Sequence, residues 1–175
     1  MFAFQESRSV LESTPGAVRA LLLHLPERLL NVNEGENTWS PFQVVCHLVH
    51  GEIDDWVPRI RLIFTKGTAT PFRTFDRKAG FGKYGGWEVQ ALLDEFAGLR
   101  ADNLRTVDDF RIGLEQMQLE GMHPSLGRVT LEQLLACWVT HDLSHICQIS
   151  RVLARHHGQY AGPWREFISI LGGSR

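Results

Sequence analysis

Apolar residues recur with a helical period in four segments of the chain, and turn-forming residues separate them. In the first, from about Thr14 to Leu30, Val18, Leu21, Leu22 and Leu25 form one stripe. Thr14 followed by Pro15 reads as a start signal, since threonine can cap and proline suits the first turn. A shorter helical stretch around Phe4 to Leu11 precedes it, and Pro26 can end or bend it early. The second segment opens at Trp39-Ser40-Pro41-Phe42 and runs through Val44, Val45, Leu48, Gly51, Trp56, Ile60 and Ile63 to about Lys66. Pro58 lies inside this run and predicts a kink or its weakest turn.

From Gly67 to Gly86 the period disappears and Gly, Thr, Pro, Lys and Arg dominate. So long a connection can cross a bundle and place two helices parallel, whereas antiparallel neighbours need only short loops. A third helix follows from about Trp87 to Asp108, with Leu92, Phe96, Leu99 and Leu104 on one side. The mixed stretch Asp109 to Arg128 carries a weak signal for two short strands around Phe110 to Leu119. Gly121-Met122-His123-Pro124 and Leu126-Gly127 read as turns. The fourth helix, capped by Thr130 with Glu132 and Gln133 in its first turn, runs unbroken to about His157. Gly162-Pro163-Trp164 then turns the chain into a short last helix near Glu166 to Leu171. There is no internal repeat, so residues 1–175 are expected to form a single all-α domain, a four-helix bundle.

Composition narrows the function classes. At 175 residues, with 43% hydrophobic and 22% charged residues, the chain can bury an ordinary core. The 18 Lys and Arg are scattered among 20 Asp and Glu, giving a net charge of -2 and no basic stripe for nucleic acid. MFAFQESRSV lacks the basic and apolar pattern of a secretory signal, and apolar runs such as Ala20 to Leu23 fall far short of the roughly 20 residues of a membrane span. The three cysteines, Cys46, Cys137 and Cys147, are odd in number and show no CxxC spacing, so a reducing cytoplasm is the expected location.

The chemistry concentrates in histidines at positions where the period demands core residues. The fourth helix reads Leu131, Leu134, Leu135, Trp138, then His141, His145, Gln148 and Ile149, then Val152. Four residues apart, His141 and His145 share one face a turn apart, about 6 Å along the axis, and two imidazoles can span that to one ion. His47, between Val44, Leu48 and Gly51, lies on the inward stripe of the second helix and can complete a set of three. Three ligands with a position left open is the pattern of a catalytic or substrate-binding metal site. The competing explanation is that the imidazoles are satisfied by partial exposure in a cleft; a shared ion satisfies all three at once. His50, Glu52 and Asp142 are candidates to line the pocket, Asp142 and Ser144 lying beside the pair in sequence. Cys137, four before His141, is about 12 Å along the axis from His145, too far to share its ion, and is expected to pack in the core. Cys46 and Cys147 are expected to be small buried hydrophobes. His123 precedes a proline in a loop, and His156 and His157 suit a helix end.

Two of these stretches resemble a known family. Trp39-Ser-Pro-Phe-Gln-Val-Val-Cys-His47-Leu is similar to the second-helix signature of the DinB-like superfamily, which includes proposed metal-dependent hydrolases of the YfiT type. Thr140-His141-Asp-Leu-Ser-His145-Ile-Cys-Gln148-Ile resembles its HxxxH fourth-helix signature. The similarity extends from Thr14-Pro15 to Gly162-Pro163-Trp164. The resemblance implies an up-down-down-up four-helix bundle with a long connection between helices 2 and 3, and three metal ligands that fall on His47, His141 and His145. It also implies a divalent ion, commonly nickel or zinc, and frequent homodimers. Members with known activities are mainly thiol-dependent transferases and isomerases that use bacillithiol, mycothiol or glutathione.

Two functions follow as expectations. One is an enzyme in which the metal activates a low-molecular-weight thiol for S-transfer, or water for hydrolysis, on a small electrophilic molecule; imidazoles suit nickel and zinc alike, and the sequence singles out no catalytic side chain. The other is a non-catalytic binding or stress-response protein in which the ion ties helices together.

Overall fold

In the computed structural model, which describes residues 4–173, the first helix α1 (Phe4–Leu22) continues through Pro15. Thr14 and Pro15 are therefore not a start: the two stretches expected on either side of them are one helix, and the chain after Leu22 forms only a short α2 (Glu27–Leu30) behind Pro26. An interior proline removes the N–H that would bond the carbonyl four residues back, at a cost of about 3 kcal/mol. Here that carbonyl belongs to Leu11, and the buried Arg100 donates to it through Nη1 at 2.7 Å. A partner from another helix replaces the missing donor, which is why the local stop signal is overridden.

The second long helix divides into α3 (Pro41–Asp54) and α4 (Trp56–Lys66), with the break at Asp55, one turn upstream of Pro58. Pro58 has no N–H to offer the carbonyl of Asp54, so the ladder is interrupted there rather than at the proline itself. The third and fourth long helices are α6 (Val89–Asp109) and α8 (Leu131–Gly158), as the period predicts. Between them the chain forms a turn of helix, α7 (Leu114–Met117), and an antiparallel hairpin of β1 (Glu120–His123) and β2 (Gly127–Thr130), paired Glu120 to Thr130. The strands thus lie later than Phe110 to Leu119, and Gly121 to His123 is strand, not turn. Gly121 fits because a Cβ there would stand 2.5 Å from Phe72. The C-terminal segment forms 3-10 turns at Gly162–Phe167 and Ser169–Leu171 instead of an α-helix.

Two clusters set the helix directions. One joins Phe4, Leu11, Trp56, Ile60, Leu104, Val107, Leu131 and Trp138. The other joins Val18, Leu22, Val45, Val49, Leu92, Phe96 and Ile149. The starts of α1 and α8 therefore meet the far ends of the second and third long helices, and the topology is up-down-down-up. No helix among the described residues is long and apolar enough to cross a membrane.

Between the clusters runs a polar layer centred on Arg100, which is 1% exposed. Arg100 donates to Glu52 at 2.7 Å and to both oxygens of Asp142 at 2.6 and 3.1 Å, and Asn103 donates to Glu52 at 2.9 Å. Its guanidinium carbon lies 5.1 Å from the ring centroids of both Phe96 and Trp138. Burial alone would lower the pKa of Arg100; Glu52 and Asp142 more than reverse it. Burial likewise opposes ionisation of Asp142, and His141 and Arg100 together outweigh it, holding that carboxyl below its ordinary range.

The connection between the second and third long helices is anchored at two places. Phe72 donates its N–H to Met122 O at 2.8 Å, and α5 (Ala79–Tyr84) lies against α3. A Cβ at Gly80 would stand 2.4 Å from the carbonyl oxygen of Cys46, so the two backbones can approach only through glycine. Gly80→Ala should force α5 off α3 and lower stability by about 1–3 kcal/mol in urea titrations. A loss below the error of the titration would show that α5 is not held at this contact.

Candidate metal centre

Ser40 and Gln43 form a capping box at the start of α3, with bonds of 3.0 and 3.2 Å, and Pro41 occupies the first helical position. Thr130 and Gln133 do the same for α8, at 2.9 and 3.2 Å. These caps set where each helix begins, and so which positions face inward. Seven residues after Ser40 stands His47; eleven after Thr130 stands His141. On α8 the neighbours His141 and Asp142 point to different elements, Asp142 onto Arg100 and His141 toward α3. The Arg100–Asp142 pair thereby holds the rotation of α8 that aims its histidines at His47.

The three imidazoles converge. His47 Nε2 stands 3.0 Å from His141 Nε2, and His145 Nε2 stands 3.1 Å from the same atom. One ligand atom from each lies within 4.8 Å of the others, so the set could hold a metal ion. Two nitrogens about 2.0–2.1 Å from one ion stand roughly 3 Å apart, which matches this spacing. The outward nitrogens of two rings are fixed by acceptors. His47 Nδ1–H donates to Arg77 O at 3.0 Å and His145 Nδ1–H to Gln148 Oε1 at 2.8 Å. Both rings are thus held in the tautomer that leaves Nε2 with a lone pair facing the centre. His141 Nδ1 is buried without a hydrogen-bond partner, 3.9 Å from Asp142 Oδ1.

Electrostatics favour the ligand form. Burial, then the neighbouring His145 and His141, push the pKa of His47 down to about 3; burial and His141 push that of His145 down to about 4. Both are neutral at pH 7, as metal coordination requires. His47 and His145 are 2% and 7% exposed, whereas the His141 side chain is 23% exposed, so the centre opens on the His141 side. Aromatic rings wall the rest: Trp39 stacks on His145 with an interplanar angle of 11°, Phe75 meets His47 edge-on and Trp56 meets His141 edge-on.

The other expected residues divide. His50 is buried, stacked on Phe75 and 3.6 Å from Asp54. Glu52 and Asp142 do not line a pocket: they are 2% and 0% exposed and committed to Arg100, because two carboxylates buried this deeply need a cation. Cys46 is buried, but Cys137 and Cys147 are exposed, since their positions on α8 lie off the stripe that faces the other helices. His123 ends β1 beside Phe72. Sequence reasoning passed over Arg77, whose contribution is a backbone carbonyl, and Gln148, whose place three residues after His145 on the inward stripe was a usable signal. Arg100 carried a signal too, falling on the period of Phe96 and Leu104.

A family model for the DinB superfamily matches residues 11–149. The chain belongs to the DinB superfamily. No curated protein matches it. Among solved structures it is similar to YfiT from Bacillus subtilis, described as a probable metal-dependent hydrolase with an unusual four-helix bundle topology. The TM-score is 0.76, at 23% identity over 89% of this chain and 87% of that one. It is also similar to TT2238, a four-helix bundle protein, with a TM-score of 0.57 at 19% identity over 82% of this chain and 95% of that one. At these identities the likeness establishes the shared bundle, and the chemistry of this DinB protein rests on its own residues.

Proposed function

We propose that this DinB-superfamily chain is a divalent-metal-dependent enzyme whose ion, nickel or zinc, is held by His47, His141 and His145, and which acts on a small electrophilic molecule. The observation that carries the proposal is the convergence of three Nε2 atoms, two of them with tautomers locked from behind, on a point open at one side. A divalent ion there supplies Lewis acidity, lowering the pKa of bound water or of a bound thiol toward neutrality. The chain's own residues do the rest. Arg77 O and Gln148 hold the ligand rings, and Trp39, Phe75 and Trp56 exclude water from three sides. The nucleophile is water, giving hydrolysis, or a low-molecular-weight thiol such as bacillithiol or glutathione, giving S-transfer.

The bundle has an extensive apolar core and an internal Arg100 network, so it does not depend on an ion to join its helices. This favours an enzyme over a protein in which the metal is only a tie. Chelation should therefore leave the far-UV circular dichroism helical while activity against a panel of electrophiles, assayed with and without thiols, disappears and returns on adding nickel or zinc. Unfolding on chelation, with no turnover in any metal-loaded sample, would favour the structural tie instead.

A further inference from the structure

Between the β1–β2 hairpin, α4 and the start of α8 lies a cavity of about 380 Å³, a volume suited to a small organic molecule. None of the three converging histidines lines it. Phe72, Leu126, Val129 and Leu134 form its apolar wall, and Leu126, at the hairpin tip, is 73% exposed. Such a wall gives water few partners, so a ligand that covers it is favoured. The polar groups of the lining decide which ligand. Both cations are already neutralised: Arg59 pairs with Asp55, and Arg128 with Glu120 at 3.1 Å. Burial, and then Asp55, push the pKa of the Cys137 thiol up, so it stays protonated at pH 7. His123 Nδ1 accepts from the N–H groups of Ser125 and Leu126, each at 3.1 Å. Burial lowers the pKa of that ring, so its one proton sits on Nε2. Gln133 Oε1 is taken by the Thr130 N–H at 2.9 Å, which leaves the Gln133 Nε2 hydrogens. Neither Nε2 donates to another of the described residues. The lining therefore offers two free N–H donors and no uncompensated charge.

We propose that this cavity binds an uncharged, largely apolar small molecule carrying one hydrogen-bond acceptor, such as a ketone or ester carbonyl. Phe72 and Leu126 cover its hydrocarbon body, and His123 and Gln133 donate to its oxygen. A carboxylate there would meet cations whose charge is already matched, and an ammonium would meet no carboxylate in the lining. The cavity is a site of its own, and its occupancy does not depend on an ion at the histidines.

The test titrates the isotope-labelled full chain with acetophenone and, separately, with ethylbenzene, which lacks the acceptor, and benzoate, which is charged. Acetophenone should bind at millimolar concentration and shift the backbone amide resonances of Val129, Leu134 and Cys137. Ethylbenzene should bind several-fold more weakly, and benzoate should not bind. Gln133→Glu keeps the capping box with Thr130 but replaces the free donor by a carboxylate. It should weaken acetophenone roughly fivefold, with a smaller effect on ethylbenzene. Leu126→Ser, at an exposed tip that the core does not use, should weaken both neutral ligands roughly threefold or more. Cys137→Phe fills the cavity and should abolish both. No shift of these amides with acetophenone, benzoate binding as tightly as acetophenone, or unchanged binding in Leu126→Ser and Cys137→Phe overturns the site. Unchanged acetophenone binding in Gln133→Glu overturns the donor assignment. Zinc-loaded and chelated protein should bind acetophenone equally, so a failure of the histidines to hold zinc leaves this result as it is. Binding seen only with zinc overturns the independence of the cavity.

Discussion

Arg100→Leu should cost about 3–5 kcal/mol of stability, the range measured when one partner of a buried ion pair is removed. The variant strands two carboxylates, Glu52 and Asp142, at 2% and 0% exposure. It also orphans the Leu11 carbonyl, which Pro15 has already deprived of its intrahelical donor. Against a total stability of about 5–15 kcal/mol, the loss brings the bundle near its threshold. The sign of the pH dependence follows from the same contacts. In the parent, the depressed pKa of Asp142 contributes stability that is present above the unfolded value of about 3.9 and lost as pH falls through the folded value. In the variant the buried Asp142 carboxylate has lost its cation and favours protonation, so the gap between parent and variant should shrink as pH drops from 7 toward about 4. Urea titrations of both proteins across this range measure it. Adding Pro15→Ala to the variant should return about 1 kcal/mol by restoring the helical N–H to Leu11 O. A gap below about 1 kcal/mol at pH 7 would mean that the two carboxylates do not depend on Arg100.

His141→Ala/His145→Ala should abolish metal binding while leaving the helices in place. The parent, exchanged into nickel or zinc and desalted, should retain about one ion per chain by elemental analysis, and the double variant none. Both histidines sit in a shell of aromatic rings, and the Arg100 network keeps its bonds to Glu52 and Asp142 without them, His141 approaching it only at 3.9 Å from Asp142, so helicity should persist. Gln148→Leu separates ligand from support: it keeps three imidazoles but removes the acceptor that locks His145, and should weaken metal affinity about 10–100-fold. Full occupancy in the double variant would place the ion elsewhere; an unchanged affinity in Gln148→Leu would show that packing on Trp39 alone orients His145.

The third and fourth long helices, the caps at Ser40 and Thr130 and the inward place of the three histidines were legible because each is written in local pattern. Ser40-Pro41 and Thr130 cap where capping chemistry says they should, and His47, His141 and His145 fall on stripes that must face inward. The three histidines that converge could be named because a histidine on an apolar stripe is an anomaly visible in one dimension. Tertiary structure decided the rest, since it depends on groups far apart in the chain. Pro15 stays inside α1 because Arg100, 85 residues later, supplies the donor its own helix lost. Glu52 and Asp142 turned from expected pocket residues into partners of that same arginine, whose charge they neutralise in the core. The hairpin moved to Glu120–Thr130 because Phe72, from the long connection, packs where only Gly121 leaves room. Arg77 could not have been found by composition, since its hold on His47 is a backbone carbonyl that any residue carries. Local periodicity thus determined which faces turn inward; the pairing of buried polar groups, settled only when the helices meet, determined what each inward group does.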